Sequence, residues 1–471
     1  LRKRARIRDY QEEARLFKNR AIVAFIGIVA MMGILVTNLY NIQINQYQDY
    51  KTRSNDNRIK VVPLAPNRGL IYDRNGVLLA ENRPVFSLEV TPEKIDDMDE
   101  TIARLQEILT IEPEKIERFH KERKQTRRFK SVPLLSQLTQ EQVAKFSVNQ
   151  HKFPGVSVNA SLKRHYPYSE VLTHVIGYVS RINDRDVQRL IRQEKYSNYQ
   201  ATRDIGKLGI ERYYEDMLHG TAGYQEVEVN SRGRIIRTLK YVPPIPGQDI
   251  VLNLDINLQL YVHQLLDDRR GSAVVLDPKD NGVLAMVSSP SYDPNPFVHG
   301  ISGKAYSELL NNKDRPLVNR ATLGIYPPAS TIKPFMAVAA LQEGVITPNT
   351  TRNDPGYWRI PNSRTKPFRD WRRWGHGKVD IVKSIEESVD TFFYQMAYDM
   401  GIDRISRWMM MFGFGDYTGI DIYEESKANM PTRDWKMSRH KTPWYKGDTI
   451  PVGIGQGYWT ATPMQIAKAT S

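Results

Sequence analysis

Ser330 and Lys333 stand three residues apart in the run GIYPPASTIKPF at 324–335. On a helix this spacing puts both side chains on one face, where the amine can take the serine proton as the alcohol attacks an acyl carbon. The amine must be neutral to do so. Lysine titrates near ~10.4, so burial or a neighbouring cation has to lower it. Pro327 and Pro328 stiffen the approach, and Ser330 is expected in the first turn of the helix. There, unpaired backbone N–H groups can hold an oxyanion, and Pro334 costs little because its missing N–H is not needed. The bare pattern recurs at Ser363/Lys366 and Ser438/Lys441. Context separates them: the first opens an apolar run through Phe335, Met336, Val338 and Leu341 that stops at Gly344, while the others lie in charged, proline-flanked stretches. On chemistry alone, an acyl-transfer nucleophile and an ordinary helix start both fit.

The elements that would position this pair begin with residues 21–40, AIVAFIGIVAMMGILVTNLY, an uncharged stretch of twenty residues. It is long enough to cross a hydrocarbon layer as one helix. Arg2, Lys3, Arg4, Arg6, Arg8, Arg15, Lys18 and Arg20 precede it against Asp9, Glu12 and Glu13, so the positive-inside rule places residues 1–20 in the cytoplasm and everything after 40 outside. No small-x-small cleavage site follows the apolar run, which favours an uncleaved signal anchor over a signal peptide. With 471 residues, 40% hydrophobic and 25% charged, the chain has material for an anchor and two or three globular domains. It has no cysteine, which excludes disulfide staples and thiol chemistry. The net charge of +14 comes partly from the stub and is otherwise spread thinly, with a dense patch at 121–130 (KERKQTRRFK). Such a patch suits a solvated face, anionic lipid or polyanionic wall material better than nucleic acid.

Residues 61–76 alternate and carry an Asn75-Gly76 turn, which predicts a strand pair. Helical spacing predicts helices at 99–111 and 205–219, and 224–230 alternates like a half-exposed strand. The run 242–247 (VPPIPG) reads as a linker, so a domain boundary is placed at 246/247. Beyond it, 271–277 and 282–288 are apolar runs joined by a turn and predict a buried hairpin. Helical runs follow at 335–343, 380–399 and 402–412, giving an α/β domain around Ser330.

Four segments carry a family resemblance: the anchor followed by RGLIYDRNG at 68–76, GKLGIE at 206–211, YPPAS at 326–330 and GIGQG at 453–457. With them the whole chain resembles the class B penicillin-binding proteins, above all the penicillin-binding protein 2 group of rod-shaped Gram-negative bacteria. The resemblance implies a multidomain protein. Its parts would be a cytoplasmic stub (1–20), a single transmembrane helix (21–40), an α+β pedestal or dimerisation-like domain (41–246) and an α/β, serine beta-lactamase-like transpeptidase domain (247–471). It makes Ser330 the nucleophile for a terminal D-alanyl-D-alanine carbonyl and Lys333 its base. The second motif, serine-x-asparagine, reads Ser388-Val389-Asp390 here. Ser388 would relay a proton to the departing amine, while an ionised Asp390 accepts hydrogen bonds and holds Lys333 but cannot donate as asparagine does. Asp390 could also simply cap a helix at 391–399. Ala329 stands where relatives often have glycine.

The family's third motif, lysine, threonine or serine, then glycine, lies beyond 453–457 on a strand that pairs with the 271–288 hairpin. The sequence stops at Ser471, and Lys441-Thr442-Pro443 cannot substitute because proline lacks the strand N–H, so the transpeptidase domain is read as missing its C-terminal part. Asp354, Asp370 and His376 form a set of metal-ligand types, and some relatives hold a structural zinc nearby with a cysteine as fourth ligand. Without cysteine that site would be incomplete, and no cofactor is required for the reaction. The expected function is a peptidoglycan D,D-transpeptidase of cell elongation that works through a Ser330 acyl-enzyme and is the target of beta-lactams. Its partners would be stem peptides, a RodA-type glycan polymerase and other elongation-complex proteins, with no nucleic acid. Its place would be the bacterial inner membrane, with the bulk of the chain periplasmic. The alternatives are a carboxypeptidase or beta-lactamase-like hydrolase, which needs a water-activating group near the ester, and a non-catalytic penicillin-binding scaffold or sensor.

Overall fold

The computed structural model describes residues 10–46, 58–126, 128–230, 235–267 and 269–471. Residues 2–8 of the basic stub, Arg127 of the basic patch and part of 41–60 lie outside these. The anchor helix is longer than its apolar stretch, running Tyr10–Tyr40 and then through a π-helical turn at Asn41–Asn45. Glu, Lys, Arg and Gln are good helix formers, so the charged lead-in continues the helix. The most apolar eighteen residues within Ala14–Asn45 have a mean hydropathy of 2.4 and none of them is buried, as expected of a helix whose solvent is not the protein interior.

Two compact units are present, Leu1–Leu64 with Gly223–Pro243, and Ala65–Ala222 with Pro244–Ser471. The first contains, besides the anchor helix, an antiparallel sheet in the order Ile59–Leu64, Gly223–Val229, Ile235–Val242. Val227, Glu228 and Val229 are all buried, without the alternation expected of a half-exposed strand, and Glu228 faces Arg237 at 2.7 Å and Arg58 at 3.4 Å.

In the second unit the thirteen-residue strand Leu78–Val90 pairs antiparallel with Ile71–Tyr72, Val132–Leu138 and Val156–His165. The Asn-Gly turn forms as expected: Asp73 Oδ1 accepts from the Asn75 and Val77 N–H groups, and Gly76 takes φ +80. Asp73 Oδ2 accepts from the Ile256 N–H, tying this turn to the start of helix Ile256–Leu266. The 99–111 periodicity becomes helix Met98–Gln106, capped by Asp97, with Ile102 and Leu105 buried. The single helix expected at 205–219 is instead two five-residue helices, Gly209–Tyr213 and Glu215–His219, because Tyr214 leaves helical geometry at φ −97, ψ 24. Apolar packing runs across residue 246: Ile71, Leu79, Ile176 and Leu218 share one cluster with Met286, Val298 and Ile422.

The hairpin forms from Gly271–Leu276 and Val283–Ser289, flanked by helices Ile256–Leu266 and Pro463–Thr470, and no further strand pairs with it among the described residues. Helices Lys333–Gln342, Ile381–Glu386 and Asp390–Met411 build the core under Ser330. Gly401, at φ 72 and ψ 159, interrupts the last of these, which is why the sequence reads as two helical runs. Met336, Phe392, Phe393, Met396, Ile405 and Trp459 fill the space between them. Each fully buried aromatic ring there contributes about 1.5–3 kcal/mol of transfer free energy.

Candidate active site

Ser330 lies in a 3-10 turn, Ala329–Ile332, that leads into helix Lys333–Gln342, with Pro334 at the first turn of that helix. Ser330 and Thr331 are exposed, while Ile332 and Lys333 after them are buried. Ala329 holds a left-handed φ of +50, a conformation that costs a non-glycine residue roughly 1–2 kcal/mol. Gly455 pins this turn: its carbonyl accepts from the Ala329 N–H at 2.9 Å, and a Cβ on it would sit 2.4 Å from the Ala329 oxygen. The glycine-rich run at 453–457 therefore braces the serine turn, a task the motif alone does not disclose.

Lys333 points inward, with a side-chain exposure of 2%, and its amine lies 5.3 Å from the centre of the Phe393 ring. The three ammonium protons have three acceptors: Asp390 Oδ1 at 2.7 Å, the Ser388 carbonyl at 2.8 Å and Ser388 Oγ at 3.0 Å. No donor remains for Ser330. Its Oγ instead receives a hydrogen bond from Ser388 Oγ at 2.9 Å, so Ser388 stands between the two residues that the spacing sets side by side. Burial pushes Lys333 below its ordinary value, against the pull of Asp390. Burial also pushes Asp390 up, against Lys333. Burial thus works against the charge on both groups, while their mutual hydrogen bond and attraction work for it.

Ser388 owes its place to a helix stop. It takes φ +56 just after Ile381–Glu386, its N–H bonds to the Ile385 carbonyl and the Val389 N–H bonds to the Ser384 carbonyl. These are the paired bonds of a Schellman ending, in which the left-handed position usually belongs to glycine. A serine kept there is backbone strain held at a site of chemistry.

Asp390 does not cap helix Asp390–Met411; Val389 is the cap residue and offers no side-chain bond. The cap comes from Asp370, whose Oδ2 accepts from the Asp390 N–H at 2.8 Å and the Thr391 N–H at 3.2 Å. Asp390 is thereby freed to turn toward Lys333. The structure brings Asp354, Asp370 and His376 together in buried positions with ligand atoms within 4.8 Å of one another. His376 Nδ1 is 2.7 Å from Asp354 Oδ2 and 3.7 Å from Asp370 Oδ1. The carboxylates already accept from the Gly356, His376, Arg372, Asp390 and Thr391 N–H groups. A closed structural zinc site takes four protein ligands, and this set offers three with its oxygens engaged, so the residues do not complete one. The other two serine-lysine pairs are not sites: Ser363 bonds Thr365 on a loop, and Ser438 bonds back to Trp435 within helix Arg433–His440.

Residues 63–252 match the model of the penicillin-binding protein dimerisation domain and residues 271–471 that of the penicillin binding protein transpeptidase domain. The peptidoglycan D,D-transpeptidase MrdA of Escherichia coli strain K12 is 60% identical over 98% of this chain and 73% of its own length. The solved complex of PBP2 and MreC from Helicobacter pylori is similar at a TM-score of 0.75 and 30% identity, covering 87% of this chain and 76% of that one. A chain of a peptidoglycan synthase complex that coordinates polymerization and crosslinking is similar at 0.66 and 29% identity, covering 96% of this chain and 76% of that one. With the anchor helix, the dimerisation and transpeptidase domains and identity sustained over nearly its full length, the chain belongs to the class B penicillin-binding proteins of the PBP2 group, the peptidoglycan D,D-transpeptidases.

Proposed function

We propose that this protein crosslinks peptidoglycan stem peptides through an acyl-enzyme on Ser330. The observation that carries the reading is the continuous chain from exposed Ser330 through Ser388 to buried Lys333 and Asp390. As Ser330 Oγ attacks the carbonyl of the penultimate D-alanine, its proton passes to Ser388 Oγ, whose own proton passes to the neutral amine of Lys333. The amide bond then breaks, and the proton returns along the same path to the nitrogen of the departing D-alanine. An acceptor amine attacks the ester next, gives its proton to the path, and Ser330 leaves protonated. Asp390 accepts a hydrogen bond from Lys333 Nζ at 2.7 Å and keeps the amine in place. The hydrolase alternative needs a carboxylate free to activate water, and Asp390 is held by Lys333.

The reading takes no cofactor for this chemistry, and no step runs through a metal at Asp354, Asp370 and His376. Beta-lactams would mimic the donor and leave Ser330 acylated. The apolar N-terminal helix and the basic residues before it support a single-pass anchor in the inner membrane with the catalytic domain periplasmic. Relatives solved with MreC and within a synthase complex support partners of the elongation machinery, among them a RodA-type polymerase. Incubating the full-length protein with a stem peptide ending in D-alanyl-D-alanine and an acceptor peptide tests the reading. Stoichiometric D-alanine and crosslinked product, both lost in Ser330→Ala, are expected. Crosslinking that survives Ser330→Ala would overturn it.

A further inference from the structure

Residues 359–378 carry seven lysines and arginines against one acid, Asp370, and that acid is buried while all seven cations are exposed. Arg364, Lys366, Arg369 and Arg373 have no ion pair among the described residues. Two tryptophans stand in the same segment, Trp371 at 65% and Trp374 at 83% exposure. An exposure this high is uncommon for tryptophan and marks a surface with a use.

The loop that presents them is held firmly. Asp370 at its start caps the helix bearing Asp390 and bonds through its N–H to the Gly356 carbonyl at 3.0 Å. At its end Gly375 packs so closely that a Cβ there would lie 2.1 Å from the Asp354 oxygen. Trp371 is fixed as well: its indole N–H donates to the Glu387 carbonyl at 3.1 Å, one residue from Ser388. Arg373 lies 5.4 Å from the Trp374 ring centre, keeping its guanidinium beside the aromatic face. The Asp370–Gly375 loop is thus a rigid aromatic and cationic surface that starts at the floor of the serine site. Preorganised aromatic anchors of this kind lose little freedom on binding.

The reaction needs such a surface for one of its two substrates. Once acylated, the donor is held covalently on Ser330. The acceptor arrives as a free strand, and its amine must meet the ester beside Ser388. Its sugar rings have apolar faces that suit an indole, and its stem peptide carries carboxylates that suit a guanidinium. We propose that Trp371, Trp374 and Arg373 form the binding surface for the acceptor peptidoglycan strand, with rings stacked on the indoles and a stem carboxylate paired with Arg373.

The proposal rests on the Ser330 acyl-enzyme reading. The full-length enzyme is assayed with saturating donor and varied acceptor, in parallel with the rate of penicillin acylation at Ser330. Trp374→Ala and Arg373→Glu should each raise the acceptor KM about ten-fold, with acylation changed less than about two-fold. An acceptor KM equal to wild type overturns the proposal, as does a fall in acylation and thermal stability in step with crosslinking, which would mean a merely structural loop. An effect present in anionic nanodiscs but absent in neutral detergent would assign the loop to lipid and also overturn it. A wild-type enzyme that takes no penicillin at Ser330 sinks the underlying reading instead.

Discussion

The aspartate at position 390 gives this site a different balance of charge from one built with asparagine. Asp390 raises the Lys333 pKa through a hydrogen bond and its charge, while burial lowers it. Asp390→Asn removes the raising influence, so the lysine should lose its proton at still lower pH. The acid limb of the acylation-rate profile should move to lower pH in this variant, measured by stopped-flow penicillin labelling; a shift to higher pH would contradict the coupling. Ser388→Ala cuts the only described path between Ser330 and Lys333 and should slow acylation about 10²–10³-fold with little change in folding. A loss under about five-fold would show that Lys333 reaches Ser330 directly. Ser330 and Lys333 are legible in the sequence because both lie in one local run beside a helix start. The place of Ser388 between them is not, because it depends on a helix stop more than fifty residues later that holds a serine at positive φ.

Among the elements, the serine turn and the helix at Asp390–Met411 are each fixed from a distance. Gly455 clamps the turn, and Gly455→Ala should cost at least about 2 kcal/mol from left-handed strain and the clash with Ala329. Thermal unfolding and acylation should both suffer, and a variant that keeps its wild-type melting temperature would show that the turn does not need the clamp. The capping aspartate is twenty residues before the first N–H it serves, which explains why local reading gives the cap to Asp390. Helices with strong periodicity, such as Met98–Gln106, and the Asn-Gly turn are legible because their causes are local. The interruption at Gly401 shows in the sequence as a break between two helical runs, whereas the one at Tyr214 is visible only in the backbone. In the same unit Glu211, wholly buried, accepts from Arg164 Nε at 2.6 Å and from Arg68 at 2.7 Å. Removing its charge by Glu211→Gln leaves two buried guanidiniums under-compensated and should cost about 3–5 kcal/mol in urea unfolding. A loss below about 1 kcal/mol would show that water or another group replaces it.

For the whole molecule, the anchor and the transpeptidase chemistry are legible from composition and motif, whereas the packing continuity across residue 246 is not. A proline-rich linker marks where a chain turns but not which side chains meet behind it, and Ile71 and Leu218 share their core with Met286 and Ile422. Protease added outside spheroplasts should digest nearly the whole chain and leave a short fragment containing the helix Tyr10–Tyr40. Protection of the large domain would contradict the single-pass topology. Labelling the full-length protein with a fluorescent penicillin and mapping the adduct by peptide mass spectrometry shows directly whether Ser330 carries the acyl group. One adduct is expected, on the peptide containing Ser330, and none in Ser330→Ala. An adduct on Ser363, Ser388 or Ser438, or labelling that persists in Ser330→Ala, would contradict it.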